Sequence, residues 1–253
     1  MGEEEAQGVA SRVNTLTRAE AKKWLRVAGL ASTAFIFFLH HEISFCSSPN
    51  IPQAPPQLGD RLPKISFPIA LSAEENKYLG LGQRKDFSLD DIKTKLILID
   101  FIGTNCHFCI QSIPTMNEIY KVVEKDRNLK ANVKMLAVAA GGTLTEVDYF
   151  KKSFGVLFPI LADPEYKAHE SVGEPRVPFL IFARQDRQGN WVVVNTKVGL
   201  MGIAEARAAT YLEEDVEVET LEGDIVTLES FITELKTFLA IKPETLKPKT
   251  PSQ

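Results

Sequence analysis

The sequence predicts an α/β domain, a central mixed β-sheet with helices on both faces, carried behind an N-terminal apolar segment. Three observations predict it. The run Leu96 to Ile102 (Leu-Ile-Leu-Ile-Asp-Phe-Ile) is nearly all apolar, as a strand buried on both faces must be. A segment of helical spacing, Ile110 to Val123, follows it, and then a second apolar run, Val133 to Ala139, which is the order of a β-α-β unit. Two later strand-like runs, Phe179 to Phe182 and Trp191 to Val198, flank Asp186-Arg187-Gln188-Gly189-Asn190. That stretch has the composition of a hairpin turn, so antiparallel strands join a parallel start.

The remaining elements fit between these. Ile65 to Ala70 is a short strand candidate, and Thr145 to Phe154 an amphipathic helix. Phe158 to Leu161 is a short extended piece, a helix follows near Glu165 to Val172, and a helix over Leu228 to Ala240 closes the domain. Parallel strands joined by crossover helices should connect with the right hand. The acidic stretch 213–224 lies outside this scheme; its alternation Val216-Glu217-Val218-Glu219 predicts a surface hairpin with a solvated charged face.

The chain of 253 residues accommodates one domain of about 150–200 residues plus appendages. Such a domain buries a core without covalent staples. A net charge of −4, with no lysine- or arginine-rich block in the body, excludes the basic field that holds nucleic acid. The 3 cysteines, Cys46, Cys106 and Cys109, are too few for a disulfide scaffold.

Charge patterning divides the rest of the chain. Residues 1–17 form a polar tail, and Thr17-Arg18-Ala19-Glu20 is a capping box that starts a helix near Arg18. Its apolar run, Val27 to Leu39, makes roughly 20 Å of helix, the length of a secretory signal core and short of the ~30 Å hydrocarbon layer. Extension from Leu25 to Phe45 gives roughly 31 Å, enough to span if Arg26 and His40 snorkel. Arg12, Arg18, Lys22, Lys23 and Arg26 precede the run, and no Lys or Arg follows until Arg61. This asymmetry places residues 1–17 in the cytoplasm and the domain on the extracytoplasmic side. Residues 18–45 are therefore expected to be a membrane anchor, with a cleaved signal and a buried soluble helix as the alternatives. A lipid-modified Cys46 is disfavoured by the bulky Phe45 before it, and His40, His41 and Cys46 lack a fourth ligand for a metal site. Residues 46–58, with Pro49, Pro52, Pro55 and Pro56, form a semi-rigid linker. The domain is expected over 59–241 and a disordered tail over 242–253.

The chemistry concentrates in Cys106-His107-Phe108-Cys109, which follows the buried strand and opens the next helix. The thiolate is the reactive form of cysteine, and a helix N-terminus favours negative charge there. Cys106, at the exposed start, is the expected attacking sulfur, and Cys109, one turn in, the resolving one. An imidazolium at His107 would favour the Cys106 thiolate further. A zinc ribbon needs a second ligand pair, and none of suitable spacing exists. A c-type haem site needs His directly after the second cysteine, where Ile110 stands. The pair thus points to thiol–disulfide exchange, which needs no cofactor and no metal.

Several stretches together carry a family resemblance. Gly59-Asp60-Arg61-Leu62-Pro63 leads into a strand, and Phe87-Ser88-Leu89-Asp90-Asp91-Ile92-Lys93 precedes Leu96-Ile97-Leu98-Ile99-Asp100-Phe101 and the C-x-x-C. Pro114 stands five residues after Cys109, and Val177-Pro178-Phe179 begins a later strand. From Leu58 to Ala240 the chain resembles the membrane-anchored thiol–disulfide oxidoreductases of the TlpA/ResA type, within the thioredoxin superfamily. The resemblance implies a thioredoxin-like fold. It implies that Pro114 is the proline inside the active-site helix and Pro178 the cis-proline opposite the cysteines. The backbone of Val177 would then be free to pair with an extended substrate. Asp100 matches the buried acid that relays a proton for the second cysteine; the competing reading is a strand-end residue facing solvent. Implied partners are cysteine-containing proteins, apocytochromes among them, and an upstream membrane thiol donor or acceptor. The chain departs from the family pattern at Asn105 (usually Trp), at His107-Phe108 (usually Gly-Pro) and at Ser112 (a buried glutamate in ResA-like proteins). Two rival readings remain. A peroxiredoxin-like peroxidase wants Thr and Arg beside its cysteine, and Thr104 is close in sequence but not at the usual spacing. A non-catalytic subunit of a membrane complex would use the N-terminal helix and the acidic hairpin as contact surfaces.

Overall fold

The structure is a computed structural model that describes residues 54–68, 70–82, 84–199, 201–203, 225–246 and 248–249. The tail 1–17, the anchor segment 18–45, Cys46 and the acidic stretch 213–224 lie outside the described residues. Among the described residues no helix is long and apolar enough to cross a membrane.

The elements run β1 (Ser66–Pro68), α1 (Ala73–Leu79), β2 (Asp86–Ser88), β3 (Leu96–Ile102), α2 (His107–Lys125), α3 (Arg127–Asn132), β4 (Val133–Ala140), α4 (Leu144–Phe154), β5 (Ile160–Asp163), α5 (Lys167–Ser171), β6 (Phe179–Gln185), β7 (Trp191–Val198), β8 (Gly202–Ile203), β9 (Ile225–Val226) and α6 (Leu228–Ala240). The central sheet has the order β5-β4-β3-β6-β7. β3, β4 and β5 are parallel, and β6 and β7 add on antiparallel. This is the mixed sheet of a thioredoxin-like fold, flanked by helices.

All residues of β3 are buried, because apolar layers cover both sides of the central strand. Its alternation sorts them. Leu96, Leu98 and Ile102 join a core with α2, α4 and α6; Ile97, Ile99 and Phe101 join a second core with α1, α5 and the β1–β2 pair.

Several boundaries differ from expectation. β1 is shorter than Ile65–Ala70; its last residue is Pro68, which has no N–H to extend a ladder. α5 starts only at Lys167 because Tyr166, its N-cap, sits in the left-handed region at φ 57°. α1 was not foreseen, although Ser72 and Glu75 form a capping box at its start. The ends of the domain extend beyond 59–241. Pro56, assigned to the linker, is buried, and Gly59 N donates to Val193 O at 2.9 Å. Part of the expected tail, residues 242–246 and 248–249, is described and meets the domain. Thr245 N donates to Lys242 O and Lys249 N to Gly59 O, both at 2.9 Å. The physical reason is Leu246, an apolar side chain in an otherwise polar stretch, which packs against the α2 side of the core.

Candidate functional site

Helix α2 begins one residue after Cys106, which is its N-cap. Cys106 and Cys109 are joined as a disulfide with Cα atoms 5.2 Å apart, and Cys109 N donates to Cys106 Sγ at 3.2 Å. No acid occupies the first turn of α2, so no anion of the helix's own first turn offsets its positive end. Cys109 is 0% exposed whereas Cys106 is half-buried, so a partner molecule reaches the disulfide at Cys106. The turn that aims the pair leaves little room at Gly103. A Cβ there would come within 3.2 Å of Cys106 Cβ and 3.6 Å of Val177 Cγ2, and Gly103 N donates to Cys109 Sγ at 3.4 Å.

Val177–Pro178 is a cis peptide bond, and Val177 O lies 3.8 Å from Cys106 Sγ. In the disulfide that sulfur carries no proton, so the approach is a contact and not a hydrogen bond. The segment is held from below. Asp163 at the end of β5 accepts hydrogen bonds from Ala168 N (3.1 Å) and His169 N (2.9 Å). The His169 ring then donates through Nε2 to Pro175 O at 2.8 Å, the tautomer a carbonyl acceptor requires.

Asp100 is 2% exposed, which excludes the solvent-facing reading. It alternates with Leu98 and Ile102 and so faces the core that contains Cys109. Burial pushes its carboxyl up to about 7, and its Oδ1 has no hydrogen-bond partner among the described residues. His107 is exposed at the first position of α2, with its ring 5.8 Å from that of Phe108. Pro114 lies inside α2 and is exposed; it leaves the Ile110 carbonyl without a helical donor. Ser112, where ResA-like proteins carry glutamate, is buried. Its hydroxyl donates to Phe108 O (2.8 Å) and accepts from Met201 N (3.0 Å), tying the first turn of α2 to the segment after β7.

The structure thus brings Cys106, Cys109, Val177 and Pro178 together and places Asp100 on the Cys109 side of β3. Pro114 stands apart. An open cleft of about 720 Å³ runs past Cys106 and is lined by Glu146, Tyr166, His169, Arg176 and Val177 among others. Glu146, Tyr166, His169 and Arg176 were not singled out in the sequence. The Tyr166 ring crosses Gly141 so closely that a Cβ there would sit 2.2 Å from its hydroxyl oxygen. Gly141, at φ 70°, suits both the left-handed backbone there and the ring lying across it.

A thioredoxin-like sheet with a C-x-x-C disulfide at the N-terminus of its central helix defines the class. The chain belongs to the AhpC/TSA family, whose model matches residues 58–186. It is 32% identical over 99 residues to the thiol-disulfide oxidoreductase ResA of Geobacillus thermodenitrificans, covering 38% of this chain and 54% of that protein. To the ResA of Bacillus subtilis it is 31% identical over 99 residues, covering 38% and 52%. The chain spans about half the length of these curated relatives. Among solved structures, StoA from Bacillus subtilis is similar at 17% identity and a TM-score of 0.40, covering 60% of this chain and 99% of that one.

Proposed function

We propose that this chain is a thiol–disulfide oxidoreductase that exchanges electrons with cysteine-containing proteins on the extracytoplasmic side of a membrane. The observation that carries this is the asymmetry of the disulfide: Cys106 is open at a helix N-terminus beside the Val177 carbonyl, and Cys109 is sealed behind it. From the reduced state, the Cys106 thiolate attacks one sulfur of a substrate disulfide and the other substrate sulfur leaves as a thiolate. Cys109 then attacks Cys106 Sγ and expels the first substrate sulfur. The substrate gains two electrons and two protons, and the enzyme ends as the Cys106–Cys109 disulfide. The reverse sequence oxidises a substrate dithiol. Asp100 accepts the Cys109 proton in the forward sense and returns it in the reverse, and an extended substrate pairs with the Val177 backbone. Apocytochrome thiols are one substrate class, and a membrane thiol donor or acceptor resets the pair. Anchoring through residues 18–45 supports this placement, on the Lys/Arg asymmetry of the sequence.

The test is reduction of insulin disulfides by the reduced protein, together with digestion of the domain by protease added outside intact, right-side-out membranes. Absence of exchange overturns the activity; a domain protected by an intact membrane overturns the orientation. The peroxidase reading has one observation for it, since Thr104, Arg176 and Cys106 line the same cleft. Peroxide consumption faster than insulin reduction would favour it.

A further inference from the structure

A second groove opens beside Cys106, between α2 and α4. Its volume is about 480 Å³, and Ile110, Tyr149, Phe150 and Phe154 give it an apolar lining. Phe150 forms its floor, buried, with its ring edge-on to Phe154 at 4.9 Å. Tyr149 is 73% exposed and Phe154 38%. Leu144 at the start of α4 and Phe108 beside the disulfide are exposed as well. Single exposed apolar residues need no explanation, but an apolar cluster next to a reacting sulfur marks a contact surface.

The groove is continuous with the cleft that holds Cys106. Thr104, Asn105 and Glu146 line both. A polypeptide whose sulfur meets Cys106 therefore has this groove within reach of its neighbouring side chains, because an extended chain advances only about 3.3 Å per residue. The shared wall also carries a sign. The Glu146 carboxylate accepts from Thr143 N (2.8 Å) and Thr143 Oγ1 (2.7 Å), which hold it in the charged form.

We infer that this groove is a specificity subsite, and that it selects protein substrates with a large apolar side chain a few residues from the reacting cysteine. The inference rests on the oxidoreductase reading of Cys106. Its occupant is the substrate polypeptide itself. Aromatic and long aliphatic side chains bury against the exposed rings of Tyr149 and Phe154 over the Phe150 floor, so that Tyr149 forms the accessible wall of the subsite, and acidic ones are repelled by Glu146.

The experiment follows single-turnover reduction of the full chain, prepared with its Cys106–Cys109 disulfide, by dithiol Cys-x-x-Cys peptides. The peptides carry Phe, Ser or Asp at the positions flanking the attacking cysteine. One peptide thiolate attacks Cys106 Sγ and Cys109 leaves as a thiolate. The second peptide thiolate then attacks the bound peptide sulfur and releases Cys106. The peptide ends as a disulfide and the protein as a dithiol, with two electrons and two protons transferred. The Phe peptide should react roughly tenfold faster than the Ser peptide, the yield of partly burying one apolar side chain, and the Asp peptide slowest. Tyr149→Ser should bring the Phe and Ser rates together, and Tyr149→Phe should preserve the preference. Because Tyr149 is largely exposed, both variants should fold. Equal rates in the wild type, or a preference that survives Tyr149→Ser, would overturn the subsite. If neither the peptides nor reduced glutathione opens the disulfide, the oxidoreductase reading itself fails.

Discussion

The carbonyl oxygen of Val177 stands 3.8 Å from Cys106 Sγ although 71 residues separate the two in sequence. β3 and β6 are adjacent antiparallel strands, with Phe101 opposite Phe179, so the exit of one and the entry of the other meet at the same end of the sheet. Gly103 lets the backbone turn close to Val177, and His169 holds Pro175 from the far side. On the proposed function, a peptide that pairs with Val177 as an added strand would bring its sulfur to Cys106, the sulfur that is open.

The two cysteines should therefore give opposite trapping results. In Cys109→Ser, Cys106 still attacks and nothing resolves the product, so mixed disulfides with partner proteins accumulate. In Cys106→Ser, the remaining thiol is 0% exposed and should trap nothing. Turnover should fall at least a hundredfold in both. Non-reducing gels followed by mass spectrometry of the adducts make the check, and adducts through Cys109 in Cys106→Ser would refute the assignment.

Asp100 should make stability fall as pH rises between about 4 and 7. Its carboxyl, near 3.8 as a free group, is pushed up to about 7 by burial. Between those values the folded state binds a proton that the unfolded state has lost, so raising the pH favours unfolding. Below about 4 both states are protonated; above 7 both are ionised and the folded protein bears the full cost of a buried charge. That cost is on the order of 4 kcal/mol at most. Asp100→Asn removes the titration, so the variant should be the more stable protein at pH 8 and lose this slope. Urea unfolding from pH 4 to pH 8 measures it. The same variant should slow exchange at the Cys109 step, because the proton acceptor is gone, even as the fold gains stability.

The parts of this molecule that the sequence revealed are those whose signals are local. Leu96–Ile102 is β3 to the residue, because a strand covered on both faces must be apolar throughout. Trp191–Val198 and Leu228–Ala240 are likewise β7 and α6. The C-x-x-C and Val177-Pro178 are contiguous motifs, and their meeting follows once the strand order is known. Asp100 was legible only through the resemblance, because a lone acid in an apolar strand also fits a solvent-facing strand end. Tyr166, His169, Arg176 and Glu146 carried no such signal. They come from separate elements and converge only through the packing of α4 and α5 on the sheet, and Tyr166 does so in a left-handed conformation that its residue type gives no reason to expect. Arg184 was hidden for a related reason: its place in β6 reads as a polar residue in a strand, and its partners lie 55 and 57 residues away.

Arg184 should be a stability residue. Its side chain is buried, Nη1 donates to Leu239 O at 3.0 Å and Nη2 to Ile241 O at 2.9 Å. These carbonyls belong to the C-terminal end of α6 and have no helical donors of their own. The guanidinium thus caps α6 and fastens it to β6. Arg184→Met should lose about 1–3 kcal/mol, the cost of leaving such groups without their charged donor. Arg184→Lys should recover only part, since a single ammonium does not reproduce the two-pronged fork. The urea midpoint should move with the slope unchanged; a midpoint equal to wild type would show that water satisfies these carbonyls as well.

His107 should raise the reduction potential of the pair. Cys106 caps the positive end of a 19-residue helix with no acid in its first turn, and the imidazole stands on the next residue. Both features favour a thiolate at Cys106 and hence the reduced state, which makes the disulfide the better oxidant. The wild-type potential should accordingly lie above the roughly −270 mV of thioredoxin. Asp100 opposes this when ionised, because an anion near the sulfurs disfavours the thiolate. Its carboxyl, pushed up to about 7, is mostly neutral at pH 6, so Asp100 opposes the helix end and His107 little there, and its opposition grows above pH 7. At pH 6, His107→Pro should lower the potential by roughly 10–20 mV, the scale of one charge at an exposed helix terminus. Proline is well tolerated at the first position of a helix, so the shift isolates the loss of the imidazole from any loss of α2. A glutathione redox titration of both proteins at pH 6 and pH 8 decides the matter. An unchanged potential at pH 6 would assign the poise to the helix N-terminus alone, with His107 a bystander whose exposed ring rests on Phe108.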